Sequence, residues 1–250
     1  MTFLSVIIPA YNEEQRLPKA IKETALYLMM QDYRSEILVV ENGATDKTVE
    51  VANYYLTLFT SKTNGLIRGR LIHSSKGKGR AVQAGMLCAQ GTWLYMADVD
   101  FSTPIEFVRR FLPPEFEGEI GIGSREAPGG KRFNEPIRRK YTGRIFNSMT
   151  RLLLPDIKDT QCGFKMFRRD VARDLFKRLT VMGWAFDVEV LYLAAQQGYE
   201  VKEIGVPWYY NGDSRVRVIR DSLRMAKDIT KIWLQHESGE NEPEKDFISP

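Results

Sequence analysis

Short apolar runs alternate with longer amphipathic segments along the N-terminal part of the chain. The runs have the length and the content of β-branched and aromatic residues that are typical of buried strands. They lie at residues 3–9, 37–40, 69–73 and 93–97. Between them, helical spacing predicts helices over 13–30, 45–58 and 80–89, the first capped by Asn12. Alternating strands and helices with short connections predict an α/β fold with a doubly wound, mainly parallel sheet flanked by helices.

The second half of the chain has a less regular pattern. Strands are predicted at 119–124, 160–167 and 199–210, and helices over 141–153, from 169, over 187–198 and over 217–233. Residues 126–140, which contain two prolines and a Gly-Gly pair, are predicted to form a mobile basic loop. The helix over 217–233 is basic on its polar side, a pattern more typical of a helix docked on a core than of a membrane helix.

Polar turns follow the predicted strands of the first half. They are Tyr11-Asn12-Glu13, Glu41-Asn42-Gly43, Lys76-Gly77-Lys78 and Asp98-Val99-Asp100. In open parallel sheets, ligands bind at the carboxyl ends of the strands. The four turns are therefore expected to meet in one site.

The pair Asp98 and Asp100 stands at the end of an apolar strand, where folding alone requires no carboxylates. Two carboxylates one residue apart can hold a hard divalent cation, which takes its other ligands from water and from a substrate phosphate. The alternative is a solvated turn in which Asp100 or Ser102 caps a helix that starts near Pro104.

The turn Lys76-Gly77-Lys78-Gly79 precedes a predicted helix. Exposed backbone N–H groups and the helix dipole make such a position suitable for an anion. It lacks the spacing and the Lys-Ser/Thr pair of a Walker A loop. The alternative is an ordinary surface turn between a strand and a helix.

Composition limits the class of protein. The 250 residues, 43% of them hydrophobic, can form one large core, and the formal net charge of +4 does not indicate a nucleic-acid binder. The charge is uneven, since eight basic residues between Arg125 and Arg151 stand against Glu126 and Glu135. Three interpretations of this cluster are open. It could be a solvated face, or a nucleic-acid site, although the aromatic platforms usual in such sites are missing. It could also bind a lipid phosphate or anionic headgroups.

Two features bear on the cellular compartment. Cys88 and Cys162 are lone thiols within apolar or motif-rich segments, which favours a reducing, cytosolic environment. The N-terminus lacks the features of a signal peptide, and no apolar run reaches the roughly 18 residues needed to span a bilayer. We therefore expect a soluble protein, or one peripheral at the cytoplasmic face of a membrane.

Five motifs in order resemble a known family. The segment from Ser5 to Glu14, the turn from Glu41 to Asp46, and Ala97 to Asp100 are similar to the inverting GT-A glycosyltransferases of family 2. The segments Asp159–Lys165 and Trp184–Glu189 resemble its dolichyl-phosphate glucosyltransferase branch, a relative of dolichyl-phosphate mannose synthase. The resemblance covers residues 3–234. It implies the GT-A fold, a Rossmann-like mixed, mainly parallel sheet.

The resemblance also implies roles for individual residues. Asp98 and Asp100 hold Mg²⁺ or Mn²⁺ against the diphosphate of a nucleotide-sugar. The donor is bound by Pro9, Ala10, Tyr11, Glu13, Glu41, Gly43, Lys76, Gly77, Lys78 and Val99 together with the two aspartates. The acceptor phosphate is bound by Arg125, Arg138, Gln161, Arg215 and Arg217. The turn at Glu41-Asn42-Gly43-Ala44 departs from the usual Asp-Asp-Gly-Ser, which leaves the identity of the base open.

The expected reaction transfers a hexose from a nucleotide-sugar to a polyprenyl phosphate. Glucose is the favoured sugar and UDP-glucose the favoured donor. Arg125 and Asp187 join Asp98 and Asp100 in the expected catalytic set. A phosphate acceptor is largely dianionic near neutral pH and needs no general base, whereas a hydroxyl acceptor would need one, with Asp187 and Glu189 as candidates. His73 and His236 are excluded by their places in a strand and in the tail.

Further expectations concern the organisation of the chain and its partners. Residues 1–236 form one catalytic domain, with a nucleotide-binding half over 1–100, an acceptor half over 101–236 that ends in an amphipathic helix, and an acidic disordered tail over 237–250. The partners are the donor, the lipid acceptor, and a membrane surface or an anchoring subunit, with no nucleic acid. GDP-mannose as donor, a soluble hydroxyl acceptor and a non-catalytic nucleotide-sugar-binding subunit stay open as alternatives.

Overall fold

A computed structural model describes residues 1–136, 149–151, 153–212, 227–232 and 234 of the chain. Its described part contains a mixed sheet of seven strands and a separate two-stranded ribbon. The strands are β1 (Leu4–Ala10), β2 (Ser35–Glu41), β3 (Ile67–His73), β4 (Trp93–Met96), β5 (Ile120–Ser124), β6 (Lys131–Phe133), β7 (Lys165–Arg168), β8 (Val201–Gly205) and β9 (Pro207–Tyr209). β6 and β9 form the ribbon.

The strand order in the large sheet is β3-β2-β1-β4-β7-β5-β8. All neighbours are parallel except β7, which runs antiparallel to β4 and to β5. Because β7 is reversed and Lys165 pairs with Met96, the turn that precedes β7 lies at the edge where β4 ends. The prediction of a mixed, mainly parallel α/β sheet is confirmed, and the reversed strand brings a late segment of the chain to the candidate site.

Helices cover both faces of the sheet. Those that lie wholly within the described residues are α1 (Leu17–Met29), α2 (Thr48–Lys62), α3 (Lys78–Cys88), α4 (Arg169–Lys177) and α5 (Phe186–Gln196), with a 3-10 helix at Ile105–Phe111. Residues of one strand alternate between two cores: Ile7 packs with α3, α4 and α5, whereas Val6 and Ile8 pack with α1 and α2. Burial on both faces explains why the strands are continuous apolar runs.

The first helix begins later than predicted. Asn12 does not cap it: Asn12 has a positive φ of 53°, and its Oδ1 accepts a hydrogen bond of 2.7 Å from the backbone N–H of Thr45. The helix starts at Leu17, with Pro18 in its first turn. Asn12 instead joins the turn after β1 to the turn after β2, so two of the polar turns are held together by the side chain that was expected to start a helix.

Three predictions in the second half need correction. Residues 126–140 are not wholly loop, since β6 lies among them, and the strand predicted over 199–210 is divided into β8 and β9. The strand predicted over 160–167 is confined to β7, because residues 160–164 form a turn. Most of the helix over 141–153, the N-terminal part of the helix over 217–233 and the tail over 237–250 lie outside the described residues, whereas 227–232 are helical. In the part of the chain that is described, no helix is both long and apolar enough to cross a membrane.

Close packing of α3 on the sheet gives a testable consequence. A Cβ on Gly85 would lie 2.4 Å from Ile7 Cγ2 and 2.9 Å from Val40 Cγ2. Alanine in a helix ordinarily stabilises by up to about 1 kcal/mol relative to glycine. Gly85→Ala is nevertheless expected to lower the free energy of unfolding by about 1–3 kcal/mol, because the added methyl overpacks the core.

Urea denaturation of Gly85→Ala beside the parent protein measures this change. Gly212→Ala is the control, since a Cβ at Gly212 meets no atom within 4 Å. Equal or greater stability of Gly85→Ala would contradict the close approach of α3 to β1 and β2.

Candidate active site

The two carboxylates lie at the carboxyl edge of the sheet, directly after β4. The Ala97 N–H donates to the Ile7 carbonyl and continues the pairing with β1. The chain then turns sharply, with Phe101 at a positive φ of 42° and the Ser102 N–H donating to Asp100 Oδ1 at 3.0 Å. The 3-10 helix that follows has no side-chain cap, so the alternative in which Asp100 or Ser102 caps a helix is not what the structure shows.

Charge accumulates around this pair. Burial, followed by the neighbouring charge of Asp98, raises the pKa of Asp100 above its ordinary value. Lys78 Nζ lies 2.8 Å from Asp98 Oδ1, and its side chain is 18% exposed. Burial alone lowers the pKa of Lys78, but Asp98 and Asp187 outweigh it and raise that pKa overall. The charged ammonium offsets part of the negative charge of the pair.

Gly163 leaves space beside Asp98. A Cβ at this position would lie 1.9 Å from Asp98 Oδ2, so any larger residue would displace the carboxylate. Over the described ranges, no cluster of three or more metal-ligating side chains exists. A cation at Asp98 and Asp100 would therefore take its remaining ligands from water and substrate oxygens, as Mg²⁺ commonly does. The donor set fits a hard divalent ion.

Aromatic and hydroxyl side chains form the walls of a pocket at the pair. Besides Asp98, Asp100 and Gly163, it is lined by Tyr95, Phe101, Ser102, Thr103, Phe164 and Trp208. Trp208 was not identified in the sequence as a site residue. Its place depends on β9, a short strand that the single predicted strand over 199–210 concealed.

The candidate nucleotide side lies where β1, β2 and β3 end. Glu41 Oε2 accepts hydrogen bonds from the N–H groups of Gly43 and Ala44 at 2.9 and 3.0 Å, and its Oε1 lies 2.8 Å from His73 Nδ1. Burial raises the pKa of Glu41, but the hydrogen bonds from Ala44, His73 and Gly43 outweigh it and lower that pKa overall. His73, excluded above as a strand residue, is thus the partner of a candidate binding carboxylate.

Other residues predicted on this side have backbone or structural roles in this structure. Ala10 and Val99 are buried, and Pro9 is partly buried in β1. Glu13 is held by Arg16, whose Nε and Nη2 donate at 2.7 and 2.6 Å. Gly43 adopts a positive φ of 83°, which lets its N–H reach Glu41. The ring of Tyr11 faces Lys76 Nζ at 5.0 Å from its centroid.

The N-terminus of α3 packs against residues 181–182. Gly77 has a φ of 141°, and the Gly79 N–H donates to the Met182 carbonyl at 3.1 Å. The turn is therefore not an ordinary surface connection, and one of its backbone donors is already bonded within the protein. Lys78 Nζ also lies 5.0 Å from the ring of Trp184. The turn contributes the Lys78 ammonium to the site.

Arg125 forms a buried ion pair that sequence reasoning missed. Its Nε and Nη2 donate at 2.6 Å to the two oxygens of Asp159, and its backbone N–H donates at 2.9 Å. Burial raises the pKa of Asp159, but Arg125 outweighs it and holds that pKa at about 2. The guanidinium carbon lies 5.4 Å from the ring of Trp208, which places Arg125 behind the pocket wall.

The remaining candidate phosphate ligands fall into two groups. Gln161 follows the Asp159 turn, and its Nε2 is buried without a hydrogen-bond partner among the described residues. A buried donor of this kind favours a ligand at the position. Arg138, Arg215 and Arg217 lie outside the described residues.

Asp187 and Glu189, the candidate bases, differ in their surroundings. Asp187 Oδ1 lies 2.7 Å from Lys165 Nζ, and both side chains are buried. Burial raises the pKa of Asp187 despite the opposing effects of Lys165 and Lys78. Glu189 accepts hydrogen bonds from Thr180 N–H, Thr180 Oγ1 and Val181 N–H. Glu189 therefore holds the loop that packs on α3, and Asp187 is the better placed of the two.

Comparisons with known proteins identify the family of the chain. The model of the family described as glycosyl transferase family 2 matches residues 5–176. A dolichyl-phosphate beta-glucosyltransferase of Drosophila melanogaster is 37% identical over 253 residues, covering 93% of this chain and 75% of the relative. The Homo sapiens protein of the same name is 33% identical over 254 residues, covering 94% and 76%.

Similar folds occur among solved structures. Glucosyl-3-phosphoglycerate synthase from Mycobacterium tuberculosis, in complex with UDP, has a TM-score of 0.64 at 15% identity and covers 95% of this chain and 80% of its own. The same enzyme with Mn²⁺, UDP-glucose and phosphoglyceric acid has a TM-score of 0.63 at 14% identity, with the same coverage. At these identities the likeness concerns the fold.

The Arg125–Asp159 pair predicts a defined loss of stability. Asp159→Asn is expected to lower the free energy of unfolding by about 3–5 kcal/mol, because it leaves a buried guanidinium without its counter-ion. The pKa of Asp159 is lower in the folded chain than its ordinary value of 3.8. Its contribution to stability is therefore complete above pH 3.8 and is lost as the pH falls from 3.8 towards about 2.

Urea titrations at neutral pH and across this acid range measure both effects. The double variant Arg125→Met/Asp159→Leu is the control, because removal of both charges is expected to recover much of the loss. A single variant as stable as the parent would show that the pair does not stabilise the segment that follows β5.

Proposed function

This chain belongs to glycosyl transferase family 2, and from that premise we propose that it transfers glucose from UDP-glucose to a polyprenyl phosphate. The observation that carries the proposal is the arrangement of Asp98 and Asp100 at the end of β4, with Gly163 and Lys78 on either side of Asp98. The acceptor class rests on relatives at 33–37% identity that are named dolichyl-phosphate beta-glucosyltransferases.

The donor end of the proposal combines the metal pair with the nucleotide-side residues. Asp98 and Asp100 would hold Mg²⁺ or Mn²⁺, and the bound cation supplies neutralisation of the negative charge of the departing nucleoside diphosphate. Lys78 adds a fixed positive charge beside the same carboxylates. Glu41, held as an anion by its hydrogen bonds, is suited to accept from a ribose hydroxyl or a base N–H.

The acceptor decides whether the protein must remove a proton. A phosphomonoester has a second pKa of about 6, so its oxygen is already a nucleophile near neutral pH. The protein then has to place the phosphate behind the anomeric carbon and offset its charge. Glucose is linked to UDP in the α configuration. In a single in-line displacement, the phosphate oxygen bonds to the anomeric carbon while the bond to UDP breaks, so the product has the inverted β configuration.

Asp187 is better suited to position side chains than to act as a base for such an acceptor. Its carboxylate lies against Lys165 at 2.7 Å and is buried at the N-terminus of α5. We infer that it fixes Lys165 and, through its charge, Lys78. Arg125, fixed by Asp159 behind Trp208, and Gln161, with its unpaired Nε2, are proposed to act on the phosphate side.

The wider organisation is part of the same proposal. Residues 1–236 would act as one catalytic domain, since the reversed β7 inserts the second half into the sheet of the first. Because a polyprenyl phosphate is carried by a membrane, the enzyme would work at a membrane surface, on the cytoplasmic side, where an anchoring subunit is a further proposed partner.

Label transfer tests the proposal directly. Purified protein with Mg²⁺ or Mn²⁺, a short polyprenyl phosphate and labelled UDP-glucose is expected to move label into the organic phase, and EDTA is expected to stop this. GDP-mannose in place of UDP-glucose tests the other donor. Label that stays aqueous while UDP accumulates would indicate a soluble acceptor, and donor that is not consumed in any combination would contradict a transferase.

The metal pair predicts a large loss in the same assay. Asp98→Asn and Asp100→Asn are each expected to lower kcat/KM by at least about a hundredfold, because loss of several kcal/mol of charge stabilisation costs two or more powers of ten. Asp32→Asn, an exposed aspartate just beyond α1, is the matched control. Rates within a few-fold of the parent for both site variants would exclude them as metal ligands.

The pH dependence separates the two acceptor chemistries. With a phosphate acceptor, the rate is expected to rise with pH through about 6, following the acceptor's own second ionisation, in the parent and in Asp187→Asn alike. A base at Asp187 would instead give an acidic limb that disappears in Asp187→Asn. Asp187→Asn leaves Lys165 without its counter-ion, so the thermal unfolding of this variant is measured first. The double variant Asp187→Asn/Lys165→Met, which buries no unpaired charge at this position, is the control for a loss of folding.

A further inference from the structure

The β6–β9 ribbon has two unlike faces. Its parallel register pairs Arg132 with Trp208 and Phe133 with Tyr209. Side chains of a strand alternate between faces, so Arg132 and Trp208 share the inner face. Trp208 is 7% exposed and lines the pocket, whereas Phe133 and Tyr209 are 37% and 41% exposed. The strand that forms a wall of the candidate site thus also presents an aromatic residue outward.

The outer face combines stacked rings with a positive charge. The ring centroids of Phe133 and Tyr209 are 4.7 Å apart, with an interplanar angle of 13°. Lys131, two residues before Phe133 on the same face, is exposed. A tyrosine ring, which has an apolar body and a polar hydroxyl, and a lysine are characteristic of surfaces that rest at the headgroup level of a membrane, and a phenylalanine ring adds apolar area there.

The ribbon is fastened to the loop that carries Asp100. The Tyr209 N–H donates to the Ser102 carbonyl at 2.7 Å, and Thr103 Oγ1 donates to the Pro207 carbonyl at 3.1 Å. Asn211 Nδ2, just beyond β9, donates to the Asp100 carbonyl at 2.9 Å. The outer face therefore lies one strand thickness from the pocket. A surface that binds this face is held at a fixed distance from the carboxylate pair.

Charge in the adjoining sequence indicates an anionic partner. Arg138, Arg139 and Lys140 follow within seven residues of the last residue of β6, and Arg215 and Arg217 follow within eight residues of the last residue of β9. Binding to an anionic bilayer strengthens with the apolar area that is buried in it and with each basic residue near its surface.

A second exposed apolar group lies elsewhere. Leu26, Met29 and Met30 at the end of α1 are 48%, 45% and 73% exposed. The chain passes from there directly into β2 at Ser35, so this group lies at the amino edge of the sheet, opposite the carboxylate pair. A membrane in contact with that edge would be separated from the pocket by the whole length of the strands.

We propose that the outer face of the β6–β9 ribbon, formed by Lys131, Phe133 and Tyr209, docks on a bilayer with anionic headgroups and holds the pocket at the level of a membrane-borne phosphate. The inference rests on the proposed lipid acceptor and adds the surface that meets the lipid. The aromatic rings insert at the headgroup boundary, and Lys131 pairs with anionic lipid.

Flotation with vesicles of phosphatidylcholine containing phosphatidylserine tests the docking surface without any turnover. The parent chain is expected to float with these vesicles and to do so less with phosphatidylcholine alone. Phe133→Ser/Tyr209→Ser is expected to bind about tenfold more weakly, as a loss of about 1.4 kcal/mol implies. Lys131→Ala is expected to bind about fivefold more weakly, since a basic residue near such a surface contributes about 1 kcal/mol.

Controls separate docking from folding. Phe133→Trp/Tyr209→Trp keeps aromatic rings and is expected to bind as the parent does, and thermal unfolding verifies that the serine variant is folded. Leu26→Ser/Met29→Ser changes the opposite edge and is expected to leave flotation unchanged. Failure of the parent to bind, equal binding by the serine variant, or a loss confined to the Leu26 and Met29 variant would each overturn the proposal.

Turnover distinguishes this proposal from the proposed function. With a short, water-soluble prenyl phosphate, the serine variant is expected to retain the parent rate, whereas with acceptor embedded in vesicles its rate falls. No turnover with either acceptor, together with ribbon-dependent flotation, would reject the lipid-phosphate reaction and leave the docking surface supported. Equal loss with both acceptors would show that the ribbon acts on the pocket and would overturn the docking role.

Discussion

The candidate site is assembled around one buried positive charge, the ammonium of Lys165. Burial of an ammonium is very costly unless hydrogen bonds and a counter-ion satisfy it. Here the Cys162 carbonyl accepts from Nζ at 2.7 Å, and Asp187 Oδ1 lies at the same distance. The chain can bury β7 only with the turn before it and the start of α5 in these positions. Both elements border Asp98, so a requirement of folding also fixes the shape of the site.

Contacts continue from this charge to both sides of the carboxylate pair. On one side, the turn that accepts from Lys165 presents Gly163, whose missing side chain leaves space for Asp98. On the other side, Glu189 in α5 holds residues 180–181, and the adjacent Met182 packs on the turn that carries Lys78. The residues around Asp98 are thus held by packed backbone on two sides. This arrangement reduces the reorganisation needed when charge develops on a bound diphosphate.

The sequence predicts what is encoded locally. The apolar runs predict the parallel strands, because a strand that is buried on both faces has a continuous run of hydrophobic residues. The polar turns after these runs mark the carboxyl ends of the strands. The pairs Arg125–Asp159 and Lys165–Asp187 join residues 34 and 22 positions apart, and their contacts depend on a strand order that is not sequential. The contact of His73 with Glu41 likewise follows from the alignment of β2 and β3, with those two residues paired across the strands. Such contacts have no local signal.

The departure at Glu41 illustrates how geometry can preserve a charge when a residue type changes. A glutamate has one more rotatable bond than an aspartate, and a longer carboxylate would ordinarily be less well fixed at a turn. The N–H groups of Gly43 and Ala44 hold one oxygen, and His73 holds the other. These bonds lower the pKa of Glu41, so it remains an acceptor for N–H or O–H groups. The longer side chain is thus held at the turn by two backbone N–H groups and by a histidine from the neighbouring strand.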